Sequence, residues 1–289
     1  MPRRYFMSYA TANDDPDYAR DFSNFKNMRS RDPGPATVEV YIAVSEAKPR
    51  TQRDDQRLRQ LRRLIESSSS FEVKSIRFKS NEGRDLSSMK QNLLDIAQVG
   101  SPDDFIFFSN RSADGPRTPR WYDEFTAQIE KFPESGLCGN TINRPCPDEE
   151  DQTYKLHVQT YAFLTRLRHF EDFMTDMPGE HAKTREQAIQ EGELELSRQV
   201  LAKGLALTSV AWPDHQFMSE DEDIDPELPC GNMTMTPGHE DIFIRLPYFH
   251  WHDTQKAKRV RWNSIRTTLL FGKNSVARYF RRKSAGRAS

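Results

Sequence analysis

Three cysteines, Cys138, Cys146 and Cys230, are all that the 289 residues hold. An odd count without paired C-x-x-C spacing argues against a disulfide framework and a zinc knuckle, and fits a reducing compartment. Long apolar runs are missing too. No stretch approaches the roughly 20 residues a membrane-spanning helix needs, and the opening Met-Pro-Arg-Arg-Tyr-Phe lacks the apolar core of a secretion signal. Net charge is also nearly absent: 42 lysines and arginines against 43 acids leave −1. Such a balance gives no global pull toward nucleic acid or an anionic membrane. No internal repeat is visible. The expectation is a cytosolic protein, or one peripheral to a membrane, with no nucleic-acid partner.

What is present is a 36% hydrophobic and 29% charged chain, long enough for one large α/β domain or two small ones. Its charge is unevenly spread. Acids crowd at Asp148, Glu149, Glu150 and Asp151, and again at Glu220, Asp221, Glu222, Asp223, Asp225 and Glu227. After Asp253 there is no acid, while Lys256, Lys258, Arg259, Arg261, Arg266 and further basic residues follow as far as Arg287. The division expected from this is a domain over residues 1–255 and a basic segment over 256–289. Ile265, Leu269, Leu270, Val276 and Phe280 predict a helix over about 261–283 within the segment. It suits peripheral contact with an anionic membrane or an acidic partner, or a solvated terminal helix.

Strand-like runs at 5–8, 38–44, 71–78 and 105–108 alternate with helical patterns at 50–67 and 86–96. The stretch 13–18 reads as a turn. Such alternation predicts an α/β fold with a mostly parallel central sheet flanked by helices. Right-handed crossovers then bring the strand ends to one rim, where ligands bind in α/β sheets. The rim segments are 45–50, 79–88 and 109–116. Further on, 121–130 and 185–204 read as helices, the latter ended by Gly204. Residues 137–142, 161–164, 205–212 and 242–246 read as late strands.

Several motifs lie on this frame. The 105–108 strand runs into Asn110-x-Ser112-x-x-Gly115-Pro116, with Trp121 following. Upstream stands Asn81-Glu82-Gly83-Arg84-Asp85-Leu86-Ser87-Ser88. Downstream come Gly136-Leu137-Cys138-Gly139-Asn140-Thr141-Ile142-Asn143, His157-Val158-Gln159-Thr160, Gly192-Glu193-Leu194-Glu195-Leu196-Ser197 and Glu240-Asp241-Ile242-Phe243-Ile244-Arg245. In order and content they resemble the motifs of GT-A-type glycosyltransferases related to the rhamnan-synthesis F proteins of bacteria, algae and large viruses. Three positions depart from the family pattern, with Ser87 where glycine is usual, Thr160 where serine is usual and Arg245 where lysine is usual.

The resemblance implies a GT-A (Rossmann-like) domain. It would move a sugar, rhamnose among the candidates, from a nucleoside-diphosphate donor to a glycan or lipid-linked hydroxyl. It implies donor contacts from Asn81, Gly83, Arg84, Asp85, Asn110, Arg111 and Ser112. His157 and Gln159, alternate residues of an extended segment, would touch the acceptor or the diphosphate. Glu193 would be the base that deprotonates the acceptor, with Asp114 and Asp123 as further candidates. The family's divalent metal, Mn2+ or Mg2+, usually sits on an aspartate pair. Here the matching positions are the neutral Asn110 and Ser112. Arg111 and Arg84 are the alternative counter-charge, since guanidinium groups bind phosphate bidentately.

Ordinary structural roles stand beside these. Asn110 starts a turn, Asp85 or Ser87 caps a helix, and glutamates of a charged helix are solvated. Trp121, Trp212 and Trp251 are sugar-stacking or core residues, and the pair His250 and His252 lacks a third metal ligand. The same neutral Asn110 and Ser112 favour a second function class, a non-catalytic module that binds a nucleotide sugar or carbohydrate. The basic terminus alone supports a third, nucleic-acid binding.

Overall fold

The computed structural model describes residues 3–143, 155–220 and 242–245, all within a first compact unit, Met1–Leu246. In chain order its elements are β1 (Tyr5–Ala12), α1 (Ala19–Arg29), β2 (Val38–Glu46), α2 (Gln52–Glu66), β3 (Phe71–Ser80), α3 (Arg84–Ala97), β4 (Phe105–Asn110), β5 (Ala113–Asp114) and α4 (Trp121–Lys131). There follow β6 (Ser135–Gly139), β7 (Ile142–Asn143), β8 (His157–Val158), β9 (Ala162–Arg166), α5 (Arg185–Gln187), α6 (Glu195–Ala202), β10 (Ala206–Ser209), β11 (Trp212–Phe217) and β12 (Ile244–Arg245). A π-helical turn, Ala188–Leu194, joins α5 to α6.

Eight strands form one sheet in the order β11-β10-β6-β9-β4-β1-β2-β3. Pairings β1–β2, β2–β3, β1–β4 and β6–β10 are parallel, while β9 runs antiparallel between β4 and β6, and β11 antiparallel on β10. The expected α/β architecture with a mostly parallel, helix-flanked sheet is therefore present.

Local chemistry explains the elements. β1, β2 and β4 are buried through nearly their whole length, as strands covered on both faces must be. Alternate residues feed two cores. Met7, Tyr9, Phe105 and Phe107 meet α1, α2 and α4 through Phe25, Leu58, Leu61, Trp121 and Phe125. Phe6, Ile106 and Phe108 face α3 and α6 through Leu86, Met89, Leu93, Leu196 and Val200. The start of α2 is a capping box, in which Thr51 accepts from the Asp54 amide and the Asp54 carboxylate accepts from the Thr51 amide.

Several expectations need correction. α1 falls between two stretches read as turns, and it begins at Tyr18 in a left-handed conformation without a side-chain cap. No start signal therefore marked it. The 205–212 strand is two strands, β10 and β11, joined at a bulged register. Neither Asp85 nor Ser87 caps α3. Its N-cap is Gly83, at φ 65°, and Ser87 turns its hydroxyl back to the carbonyls of Glu82 and Arg84. Trp121 and Trp212 are core residues, 0% and 3% exposed, so neither presents a ring for a sugar. Among the described residues no helix is long and apolar enough to cross a membrane. The boundary near 255, the basic helix, His250, Trp251, His252, Cys146, Cys230 and all but the first two residues of the acidic 219–228 stretch lie outside the described residues.

Candidate functional site

The strand order reverses around β1, with β2 on one side and β4 on the other. At such a switch point the loops leaving the carboxyl ends diverge and open a crevice. The segments that follow β1, β3 and β4 meet here, Arg111 pairing with Asp14 and Asn110 with Asp85.

Asn110 ends β4 and holds both its neighbours. Its Nδ2 donates to Asp85 Oδ2 at 2.7 Å, and its Oδ1 accepts from the Ser112 amide at 2.8 Å. The expected turn at Asn110 is thus real, and its other side-chain atom reaches across to the first turn of α3. Asp85 keeps some surface, yet its carboxyl is enclosed. Burial raises its pKa, the Arg111 and Lys79 charges lower it, Glu193 raises it and the Asn110 bond lowers it.

Glu193 lies on the π-helical turn, a geometry found often where helices serve a site. The residue before it, Gly192, packs on Leu86, the residue after Asp85. A Cβ at Gly192 would overlap the Leu86 side chain. Glycine there brings the two carboxylates to one place. Glu193 also acts on His157, which is 2% exposed. Burial holds His157 below its ordinary pKa, with the Lys155 carbonyl and Glu193 opposing and Arg245 reinforcing. Its Nδ1–H donates to the Lys155 carbonyl at 2.7 Å, which leaves Nε2 as an acceptor. Gln159 is buried beside it, its backbone N–H donating to the Thr141 carbonyl at 3.4 Å. The structure therefore brings Asp85, Asn110, Glu193 and His157 together from four separate motifs.

Other predicted residues go elsewhere. Arg111 is engaged by Asp14 in a two-pronged ion pair, its second arm at 2.5 Å, and has 16% of its side chain exposed. Burial alone would lower its pKa, but Asp14, Asp21 and Asp85 outweigh that and hold it higher. It is not a free counter-charge for a diphosphate. The close approach at Gly83 is to the protein's own chain, because a Cβ there would overlap the Glu180 carbonyl and its amide donates to the Ala182 carbonyl at 3.1 Å. Arg84 opens α3 at φ 46° and lies near Glu186. Asn81 is exposed, its carbonyl accepting from the Arg84 amide. Asp114 pairs with Arg117 at 3.7 Å and Asp123 with Arg120 at 2.7 Å.

The donor set at Asn110 and Ser112 does not fit a divalent cation. Mg2+ and Mn2+ take several hard oxygen ligands. The one oxygen of the Asn110 side chain is spent on the Ser112 amide, and its nitrogen faces Asp85. Among the described residues no group of three or more His, Cys, Asp or Glu converges as a metal site.

Three charged residues here were not among the predicted contacts, although Lys79 lies in the rim segment 79–88. Lys79 stands two positions before Asn81. Asp14 lies in the turn after β1, and Asp21 lies on the unexpected helix α1. Asp21 is 1% exposed, and its Oδ1 has no hydrogen-bond partner among the described residues. Burial raises its pKa to about 6, with Arg111, Thr11 and Tyr9 tempering the rise. Between the ordinary 3.8 and about 6, the folded chain binds a proton there that the unfolded chain has released. Stability from this group therefore falls as pH rises through that window, by on the order of 3 kcal/mol. Asp21→Asn is expected to abolish that fall, so that denaturation midpoints of variant and wild type diverge from pH 4 to 6 in the variant's favour. Parallel midpoints would refute the assignment.

No protein-family model matches the chain, and no curated protein sequence does. Solved structures resemble it in fold. A mannosyltransferase from Pyrobaculum calidifontis, in complex with GDP-Man and Mn2+, aligns over 72% of this chain and 55% of its own, at TM-score 0.45 and 10% identity. The chain thus spans little more than half of that enzyme. A galactosyltransferase in complex with donor and acceptor sugar analogs aligns over 71% of this chain and 72% of its own, at TM-score 0.40 and 11% identity. A 4-diphosphocytidyl-2C-methyl-D-erythritol synthase aligns over 76% and 94%, at TM-score 0.42 and 10% identity. The likeness is in the arrangement of sheet and helices.

Proposed function

We propose that the chain is a glycosyltransferase whose donor, a nucleoside-diphosphate sugar, sits in the crevice between β1 and β4. The observation that carries this reading is the convergence of Asp85, Asn110, Glu193 and His157, residues of four motifs that resemble those of the rhamnan-synthesis F family. Asp85 and Asn110 are the polar contacts for donor hydroxyls, and their mutual bond holds both in place before a ligand arrives. Glu193 takes the proton of the acceptor hydroxyl as its oxygen bonds to the anomeric carbon. The bond from that carbon to the donor phosphate breaks, and the nucleoside diphosphate leaves with the electron pair. His157, whose Nε2 is an acceptor, orients the acceptor hydroxyl together with Gln159. The acceptor is a glycan or lipid-linked hydroxyl, rhamnose is the sugar the motifs favour, and the basic 256–289 segment serves contact with an anionic membrane.

Calorimetry with UDP-, GDP- and dTDP-sugars is expected to find one binder, weakened roughly tenfold or more by Asn110→Ala or Asp85→Ala, the loss of a hydrogen bond to a charged group. Binding of none of them would refute the donor reading. A donor-hydrolysis assay with and without Mn2+ reads the metal separately, and equal rates are expected from the donor set at Asn110 and Ser112. The non-catalytic alternative rests on that same neutral pair and predicts binding without turnover.

A further inference from the structure

Lys79, the penultimate residue of β3, points its ammonium into the loop that precedes α3. Its Nζ donates to the Ser80 carbonyl at 2.7 Å and the Glu82 carbonyl at 3.1 Å. Two of its three N–H groups are thereby fixed, and among the described residues the third has no acceptor. Among the described residues no carboxylate stands within ion-pair distance of it; Asp85 and Glu82 act on it only through their more distant charges. The crevice's other cation near Asp85, Arg111, is already consumed by Asp14.

A half-buried ammonium without a counter-ion is costly, and the cost disappears when an anion arrives to share the loop. The same burial depresses the Lys79 pKa to about 8, against the opposing pull of Asp85 and Glu82. The side chain therefore carries its charge at neutral pH and loses it within an accessible range. The charged groups that face it are Glu82 on its own loop, with His181 3.3 Å beyond, and Asp85 on α3.

We infer that Lys79 is the residue that receives a phosphate of the donor, supplying the positive charge that Asn110 and Ser112 do not recruit and that Arg111 cannot spare. This rests on the donor reading above. A point charge on a flexible stem suits a phosphate oxygen, and the two carbonyls orient it without neutralising it. The resulting bond is charge-assisted on both sides, so its loss is felt in affinity for the diphosphate rather than in recognition of base or sugar.

The test is calorimetry of the full chain with UDP, GDP and dTDP from pH 7 to 9.5, on wild type, Lys79→Met and Lys79→Arg. Whichever nucleotide binds wild type is expected to bind Lys79→Met roughly 10- to 100-fold more weakly at pH 7. Wild-type affinity should drop about tenfold as pH passes from 7.5 to 9. Lys79→Arg should keep its affinity across that range, since a guanidinium stays charged and every other titrating group is shared. Wild-type affinity in Lys79→Met, or an alkaline loss that Lys79→Arg retains, overturns the inference and leaves the donor reading intact. Failure of wild type to bind any of the three nucleotides overturns both. Circular dichroism of Lys79→Met separates a lost contact from a lost fold.

Discussion

Glu193→Gln is expected to lower turnover of a nucleotide-sugar donor by roughly 10²- to 10⁴-fold, the usual contribution of a positioned general base, while donor binding persists. The amide keeps the shape of the side chain and loses its ability to take a proton. The two outcomes separate the function classes: an unchanged kcat would remove Glu193 from the chemistry, and wild type that binds donor without turning it over would make the chain a binding module. Steady-state kinetics beside calorimetry reads both. The other carboxylates offer less. Asp85 is bonded to Asn110, while Asp114 and Asp123 have arginine partners. Glu193 stands on a π-helical turn whose glycine packs on Leu86, so its position depends on backbone geometry that an ordinary helix does not supply.

Phe107→Ala is expected to destabilise the fold by about 3–5 kcal/mol, the range for emptying a large aromatic from a packed core. Its ring lies 5.0 Å from those of Trp121 and Phe125, 5.4 Å from Phe243 and 5.9 Å from Tyr122. One residue thus joins the central strand, the helix α4 and the segment 242–245. That segment is also gripped by Asn140, which accepts from the Phe243 amide at 3.0 Å and donates to its carbonyl at 2.9 Å. Urea denaturation with an unchanged slope and a lowered midpoint measures the loss. A change below about 1 kcal/mol, the scale of surface substitutions, would mean that the cluster closes over the cavity.

Much of the fold was legible because burial patterns are local. The runs at 38–44 and 105–108 are apolar on both faces, which suits only a strand covered on both sides. Leu58, Leu61 and Ile65 repeat at helical spacing and form the buried stripe of α2. α1 escaped because its N-cap is Tyr18 in a left-handed conformation, and its first amide is held instead by Asp15, four residues back, a spacing outside the usual capping patterns. The antiparallel course of β9 escaped for a different reason: strand direction leaves no mark on residue spacing.

For the site, the division follows the same physics. The sequence by itself determined which segments reach the rim, because alternating strands and helices with right-handed crossovers bring the loops after 78 and 108 to one end of the sheet. It also determined that Asn110 would turn the chain, since an Asn side chain competes for the amide two residues on. Only the tertiary structure decided which polar groups meet. Arg111 goes to Asp14, 97 positions away, while Lys79, which also acts on Asp85, has no ion pair among the described residues. Asp85 goes to Asn110, and Gly192 lets Glu193 approach it. A charged side chain has several partners of suitable chemistry along the chain, and the sheet order selects among them by choosing which loops share the crevice.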